Sequence, residues 1–242
     1  VILLGLDSFR PDFLESRPES LPSIRRFASE ATLFTDVTTP LARTFPSWVS
    51  IITGRHPHTT GAVINLLPRD LISTGTTLPE YLRNAGYRTV YAIDEVRFSN
   101  LDTTYGFDQM VTPSLGATDF LLGFFGDAPL SNLVTNTRLG RWLFPYLHGN
   151  RAAAKTYYPE TFVSMLDSEI RFDEPTFLAV HLTLAHWPYT WADSQTLASN
   201  GSALPLYEQA IARLDRQFAE VIKVLERKGA LDNAVVVVLS DH

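Results

Sequence analysis

The sequence predicts an α/β fold in which a mainly parallel β-sheet is covered by helices on both faces. Short, continuously apolar runs at 1–7, 175–184 and 235–240 are typical of strands that are buried on both faces. Stretches with helical periodicity separate these runs, and strands that alternate with helices form parallel sheets.

Two helices are predicted between the first strand and residue 54. The first covers 20–31 (SLPSIRRFASEA), where a serine and a proline precede the helical period, as at a capped helix start. The second covers 47–54 (SWVSIITG) and ends at Gly54, because glycine readily terminates a helix.

The later segments continue the alternation. Residues 76–94 indicate a helix, a stop at Gly86 and a strand, and 175–184 is the next buried strand. Residues 205–242 comprise a long amphipathic helix, a stop at Gly229, a turn and a final strand.

The least regular part of the sequence is 111–160. Its apolar and aromatic stretches, LLGFFGDAPL and RWLFPYLHG, are interrupted by glycine and proline. We expect an irregular insertion there, within one domain spanning 1–242, that forms a lid or a membrane-facing patch.

Composition excludes several classes of protein. The 242 residues include 45% hydrophobic residues, enough for a packed core, and the net charge of −6 gives no reason to expect a nucleic-acid partner. The absence of cysteine excludes disulfides, thiolate metal ligands and cysteine nucleophiles. No apolar run reaches the roughly 20 residues of a membrane-spanning helix. Because the chain begins and ends in strand-like segments, we expect it to be part of a longer protein.

Polar side chains follow the predicted strands, at the edge of a parallel sheet where ligands gather. Asp7 follows the first strand, Asp94 follows the strand within 76–94, and Asp241 and His242 follow the last strand. Two carboxylates and an imidazole suit zinc or manganese. For Asp94, a structural role as a helix cap or turn residue is as good an interpretation as a functional one. We expect the first and last strands to be neighbours, with the Asp7 and Asp241 carboxylates within ~8 Å of each other.

Five segments in order resemble the sulfatase branch of the alkaline phosphatase superfamily: LLGLDSFRPDFL, TFPSWVSIITGRHPHTTG, TTLPEYLRNAGYRT, HWPY and YEQAIARLDRQFAEVIKVLERKGALDNAVVVVLSDH. The similarity covers almost the whole chain apart from 111–160. It implies an alkaline-phosphatase-like three-layer α/β/α sandwich with a mainly parallel sheet. It also implies a sulfatase-like catalytic domain over 1–242 that is truncated at its C-terminal end.

The resemblance places a nucleophile at Thr44. Sulfatases have Cys or Ser, any residue, Pro, Ser and Arg, and the Cys or Ser becomes formylglycine; here the stretch is TFPSW, with Trp48 in place of the arginine. Threonine cannot become formylglycine, so the chain is more similar to phosphodiesterases, lipoteichoic acid synthases and phosphoethanolamine transferases, which form a covalent phospho-threonine. Taken alone, Thr44 is more simply explained as an N-cap of the helix 47–54, which Ser47 could equally cap. Because Asp7 and the terminal Asp-His pair are also present, we prefer Thr44 as the nucleophile.

The resemblance implies a divalent metal ion, either zinc, manganese or calcium, and the ligands are Asp7, Thr44, Asp241 and His242. One site is expected and a second stays open, because a later histidine ligand of the phosphodiesterases would lie beyond residue 242. A bound dication lowers the pKa of a hydroxyl, and the start of the following helix turns its positive dipole end toward phosphoryl oxygens.

Two further residues are implied to bind substrate or support the nucleophile. His186, in HWPY, resembles a histidine that contacts substrate oxygens, and Arg55 resembles an arginine that anchors the nucleophile loop. The other histidines have simpler interpretations: His181 as a core histidine, and His56 and His58 as surface or loop residues.

Two departures from the sulfatase pattern limit the comparison. Ser8 follows Asp7 where sulfatases place a second aspartate. The stretch AIDEVRFSN stands where they carry a GKWHLG-like segment, so Asp94, Glu95 and Arg97 offer different chemistry there, and their role is unassigned.

Three functions remain open. The first is a metal-dependent hydrolase or transferase acting on phosphate esters, either a phosphodiester or a lipid headgroup. The second is a sulfuric ester hydrolase, against which Thr44 argues, and the third is a non-catalytic lipid-binding or regulatory domain, against which the intact ligand set argues. The expected partner is a small-molecule or lipid-headgroup ester. The resemblance favours a periplasmic or cell-envelope location, and membrane association outside this chain is left open.

Overall fold

The computed structural model describes residues 1–65, 67–95, 101–113, 130, 133–134, 137–143, 158–192 and 202–242. Most of the predicted insertion at 111–160 and Arg97 lie outside the described residues, so the lid or membrane-facing patch stays a prediction. Among the helices that are described, none is both long enough and apolar enough to cross a bilayer.

The described strands form one parallel sheet in the order β3-β2-β4-β1-β5. They are Ile2–Leu6 (β1), Arg88–Ile93 (β2), Gln109–Val111 (β3), Thr176–Leu182 (β4) and Val236–Ser240 (β5). The predicted mainly parallel sheet is confirmed, and so is the adjacency of the first and last strands, because β1 pairs with β5. β3 was not predicted, because its three residues are too few to show a periodicity.

Eight α-helices are described: Phe13–Ser16 (α1), Pro22–Ser29 (α2), Thr44–Thr53 (α3), Pro57–Thr60 (α4), Leu78–Asn84 (α5), Arg138–Leu143 (α6), Pro159–Glu169 (α7) and Leu204–Arg227 (α8). Single 3₁₀ turns lie at Pro18–Ser20, Arg69–Leu71 and Thr103–Tyr105. α5 begins with a capping box in which Thr77 and Glu80 bond to each other's backbone N–H. α3 begins three residues earlier than the predicted helix 47–54.

The two faces of the sheet each pack into their own apolar core. Alternate residues of β1 point to opposite faces, so Leu4 lies in the core beneath α2, α7 and α8, whereas Leu3 lies in the core beneath α3. This arrangement is the predicted three-layer α/β/α sandwich, which is confirmed.

Gly5 of β1 allows α3 to approach the sheet closely. A Cβ atom at Gly5 would lie 2.3 Å from Cζ2 of Trp48, so a larger residue there would displace the buried indole. The close approach brings the N-terminus of α3 to the carboxyl end of β1.

Asp94 is fully buried and joins three elements at the carboxyl end of the sheet. Its carboxylate accepts hydrogen bonds from the backbone N–H and the hydroxyl of Thr183, after β4, and from Nε2 of Gln217 in α8. These contacts are those of a turn and packing residue, one of the two interpretations open from the sequence.

Candidate active site

Two buried carboxylates and a histidine meet where β1 and β5 end. Asp7 follows β1 and is 0% exposed, while Asp241 follows β5 and is 1% exposed. One ligand atom from each of Asp7, Asp241 and His242 lies within 4.8 Å of the others, inside the ~8 Å expected from the sequence. The adjacency follows directly from the register, which places Leu6 opposite Ser240.

Thr44 is the first residue of α3, and its side chain joins this cluster. Its Oγ1 lies 3.4 Å from Oδ2 of Asp7 and 3.4 Å from Nε2 of His242. The N-cap position is Arg43, which makes no side-chain cap, so Thr44 is not the N-cap that its position before a helix also predicted. Both distances are long for hydrogen bonds, and they suit atoms arranged around a shared centre.

Ser8 connects the two carboxylates through both its backbone and its side chain. Its N–H donates to Oδ1 of Asp241 at 3.1 Å, and its hydroxyl donates to Oδ1 of Asp7 at 2.7 Å. The same hydroxyl oxygen lies 3.4 Å from Nε2 of His242. The backbone of Ser8 has a φ of 55°, in the left-handed region that non-glycine residues rarely adopt.

His181, predicted as a core histidine, is fully buried and also contacts the site. Its Nε2 lies 3.2 Å from Oδ2 of Asp7, and Nδ1 lies 3.1 Å from the Tyr91 hydroxyl. The Trp48 indole N–H points at the same Nε2, at 3.2 Å. Because Nε2 carries at most one hydrogen, it either donates to Asp7 or accepts from Trp48.

The two carboxyl groups have opposite pKa shifts. Burial raises the pKa of Asp7, but a hydrogen bond from His181 and the charges of His186 and His181 outweigh it, so the pKa falls to about 2. Burial and then the neighbouring charge of Asp7 raise the pKa of Asp241 to about 7. Burial also lowers the pKa of His242, which favours the neutral imidazole.

The residues present fit a divalent cation. Oδ2 of Asp241 is buried and has no hydrogen-bond partner in the described part of the chain, which is costly for a carboxylate unless something else satisfies it. Nε2 of His242 lies 3.7 Å from Oδ1 of Asp7 and 4.0 Å from Oδ1 of Asp241. An ion with bonds of about 2 Å separates its ligand atoms by similar distances. Asp7, Thr44, Asp241 and His242 are the residues that would hold it.

Two contacts around α3 were not expected from the sequence. Ser47 is buried, and its hydroxyl donates to the backbone carbonyl of Asp241 at 2.6 Å, which ties α3 to the end of β5. Oδ1 of Asn65 accepts a hydrogen bond from the N–H of Phe45 at 3.2 Å, which satisfies one of the free N–H groups at the helix start. Asn65 lies in a loop, where no periodicity could have indicated it.

His186 and Arg55 lie in different surroundings. His186 is half-buried, its Nδ1 contacts the carbonyl oxygen of Trp187, and its charge lowers the pKa of Asp7. Arg55 is exposed beyond the C-terminal end of α3, and a Cβ atom at Gly75 would lie 2.7 Å from its guanidinium. The roles predicted for His186 and Arg55 in binding substrate remain predictions.

The chain is an α/β/α sandwich with a carboxylate-rich site at the carboxyl ends of its parallel strands. Comparison with known proteins shows which class of protein has this fold. A structure described as a protein in the alkaline phosphatase superfamily, from Vibrio parahaemolyticus, superposes with a TM-score of 0.56 and 17% identity, over 100% of this chain and 53% of that one. The sulfatase family matches residues 1–242, and the chain belongs to this family, as its motifs predicted.

Two further solved structures are similar at low identity. The C-terminal periplasmic domain of EcEptC from Escherichia coli, in complex with Zn, has a TM-score of 0.64 and 16% identity, over 100% of this chain and 62% of that one. Phosphonate monoester hydrolase SpPMH from Silicibacter pomeroyi has a TM-score of 0.65 and 15% identity, with the same coverage of 100% and 62%. This chain therefore spans less than two thirds of the length of these structures. No curated protein matches it.

Proposed function

We propose that this chain is the catalytic part of a metal-dependent hydrolase or transferase that acts on phosphate esters through Thr44. The observation that carries the proposal is the position of Thr44 Oγ1, which lies 3.4 Å from both Asp7 and His242 at the start of α3. Family membership supports an enzyme of the sulfatase-like type, and threonine in place of cysteine or serine supports phosphate over sulfate. The substrate class is a phosphodiester or a lipid headgroup.

The chain's own residues would orient the nucleophile. Asp7 keeps its charge at neutral pH because its pKa is about 2, and its Oδ2 lies 3.4 Å from the Thr44 hydroxyl oxygen. The N-terminus of α3 presents a partial positive charge to the phosphoryl oxygens. The chemistry supplied by a divalent cation at Asp7, Thr44, Asp241 and His242 is charge neutralisation and a lower pKa of the nearby hydroxyl.

The proposed reaction has two displacement steps. In the first step the Thr44 hydroxyl loses its proton to solvent as its oxygen bonds to phosphorus. The ester P–O bond breaks at the same time, and the departing alkoxide takes up a proton from solvent. Water or an acceptor alcohol then attacks the phospho-threonine, the bond between phosphorus and the Thr44 oxygen breaks, and the threonine hydroxyl is regenerated. Water gives hydrolysis and an alcohol gives transfer.

Thr44→Ala in the full-length protein tests the nucleophile. We expect turnover of bis(p-nitrophenyl) phosphate to fall by about a thousandfold or more, because covalent catalysis is the reaction route itself. Thr53→Ala is the matched control, since Thr53 lies at the other end of α3 and bonds the carbonyl of Val49. Mass spectrometry of the wild-type protein with substrate should find the phosphoryl adduct on Thr44.

Two outcomes would overturn the proposal. Near wild-type turnover by Thr44→Ala would reduce Thr44 to a structural residue. Faster turnover of p-nitrophenyl sulfate than of the phosphodiester would favour the alternative function, a sulfuric ester hydrolase.

A further inference from the structure

The backbone after β1 is held by three side chains in succession. We call residues 8–10 the site loop. Its N–H groups donate to side-chain oxygens at distances of 2.9–3.1 Å: Ser8 to Asp241, Phe9 to Ser240 and Arg10 to Tyr207. The first two acceptors belong to the end of β5, where two of the candidate ligands lie, and the third belongs to α8. The site loop therefore depends on a helix that contributes no ligand.

The Tyr207 hydroxyl bonds to the site loop at two points. Its oxygen accepts from the N–H of Arg10 at 2.9 Å, and the hydroxyl donates to the carbonyl oxygen of Ser8 at 3.0 Å. The ring is fixed by edge contacts with Phe13 and Tyr189, at centroid distances of 5.1 and 5.5 Å. Burial raises the pKa of Tyr207 to about 12, so the hydroxyl keeps the hydrogen that it donates.

The site loop needs such a restraint because Ser8 is in a conformation that costs energy. A φ of 55° is unfavourable for a residue with a Cβ atom, and it persists only where the surroundings enforce it. This conformation accompanies the contacts of Ser8 with both carboxylates, to Oδ1 of Asp241 and Oδ1 of Asp7. If Ser8 relaxed to a negative φ, these two contacts would be lost together.

We propose that Tyr207 is a positioning residue of the metal site, which orients the Asp7 and Asp241 carboxylates by holding Ser8 in its left-handed conformation. The inference rests on the metal site of the proposed function. Tyr207 acts through the site loop, because the described contacts of its hydroxyl are to backbone atoms of Ser8 and Arg10.

Tyr207→Phe tests the proposal, because it removes the hydroxyl and keeps the ring. Zinc alone is titrated into the metal-free protein by calorimetry, and we expect the dissociation constant to rise about tenfold or more, as for other groups that orient metal ligands. Tyr105→Phe is the matched control. Tyr105 is also buried, and its hydroxyl has no hydrogen-bond partner among the described residues, so its removal should leave zinc affinity unchanged.

Two further measurements separate positioning from general stability. In a Ser8→Gly background the effect of Tyr207→Phe on zinc affinity should shrink to about threefold or less. Glycine adopts a positive φ without cost, so the loop no longer needs the Tyr207 hydroxyl to hold it. The effects of the two substitutions are then not additive. Hydrogen exchange of the metal-free Tyr207→Phe protein should accelerate at the amides of residues 8–10 and stay unchanged in β4.

The possible failures are distinguishable. If the wild-type protein binds none of zinc, manganese and calcium, the metal site of the proposed function is wrong, and hydrogen exchange still decides whether Tyr207 holds the site loop. Equal zinc affinity in wild type and Tyr207→Phe would overturn the positioning role. Exchange that accelerates throughout the protein, rather than at residues 8–10, would also overturn it, because Tyr207 would then support the fold in general.

Discussion

Asp7 and Asp241 are neighbouring carboxyl groups with different protonation at neutral pH. Asp7 stays ionised because its histidine contacts hold its pKa at about 2, whereas burial and the Asp7 charge raise the pKa of Asp241 to about 7. Below about pH 7 the metal-free site therefore limits its negative charge, because Asp241 is then mostly protonated. Any cation that binds through Asp241 must displace this proton.

Metal affinity should therefore depend on pH through Asp241. Below its pKa of about 7, binding must release one proton, so manganese affinity should fall about tenfold for each pH unit and level off above that pKa. The lowered pKa of His242 keeps its imidazole from adding a second proton near neutral pH. Calorimetric titration with manganese between about pH 5.5 and 8 measures this slope. A flat affinity over that range would mean that Asp241 is already ionised in the metal-free protein.

At the residue scale, site residues could be predicted from the sequence where they directly follow a strand. Contacts between segments that are distant in the sequence could not be predicted. Asp7 and Asp241 were found because each follows a buried apolar run, and the ends of parallel strands lie at one edge. The contact of Tyr207 with Ser8 joins residues 199 positions apart, and it depends on how α8 packs. His181 was predicted only as a core residue, because a histidine within an apolar strand carries no sign of its partner.

At the scale of elements, α8 fixes α2 through one buried carboxylate. Asp215 is 2% exposed and accepts hydrogen bonds from the N–H groups of Ser23 and Ile24, which lie in the first turn of α2. The N-cap position of α2 is Leu21, which offers no side-chain cap. Asp215 thus takes the place of a local cap from a distant helix.

Asp215→Ala should lower the free energy of unfolding by about 1–3 kcal/mol, because it leaves buried N–H groups of α2 without acceptors. Urea denaturation followed by circular dichroism measures the change. Asp36→Ala is the control, since Asp36 is exposed in a loop and its replacement should change stability by less than about 0.5 kcal/mol. Equal stability of the Asp215→Ala and Asp36→Ala proteins would show that water replaces the lost acceptor.

Helix boundaries show where local pattern stops being informative. The sequence placed one helix at 47–54 with its end at Gly54, but α3 begins at Thr44. Phe45 and Trp48 are both fully buried, and their packing against the sheet continues the helix toward its N-terminus. The position of Thr44 in the site is thus set by tertiary packing as well as by its local sequence.

At the scale of the whole molecule, the described sheet ends at β5. This strand pairs with β1 on one side, and Val237 is 42% exposed. Unpaired apolar edge strands promote association between molecules, and a lysine on such a strand opposes it. The two edge strands of the described sheet, β3 and β5, can therefore affect solubility. β5 is the longer and more apolar of the two.

Val237→Lys should reduce self-association of the 242-residue chain, seen as a smaller concentration dependence of its apparent mass in light scattering. Val63→Lys is the matched control, because Val63 is 48% exposed and lies in a loop rather than in a strand. Equal association of the Val237→Lys and Val63→Lys proteins would mean that the β5 edge does not drive it.

The position of β1 between β4 and β5 also has a consequence for synthesis on the ribosome. β1 leaves the ribosome before the other described strands, yet its neighbours are β4 and β5, and 175 positions separate Val1 from the Thr176 carbonyl that it contacts. At roughly 5–20 residues per second, the nascent chain carries this apolar strand without its native neighbours for roughly 10–35 s. The Ser8 contact with Asp241 spans 233 positions, so the ligand cluster assembles only after the last strand has emerged. Until β4 has been made, this apolar strand is therefore open to association with other chains.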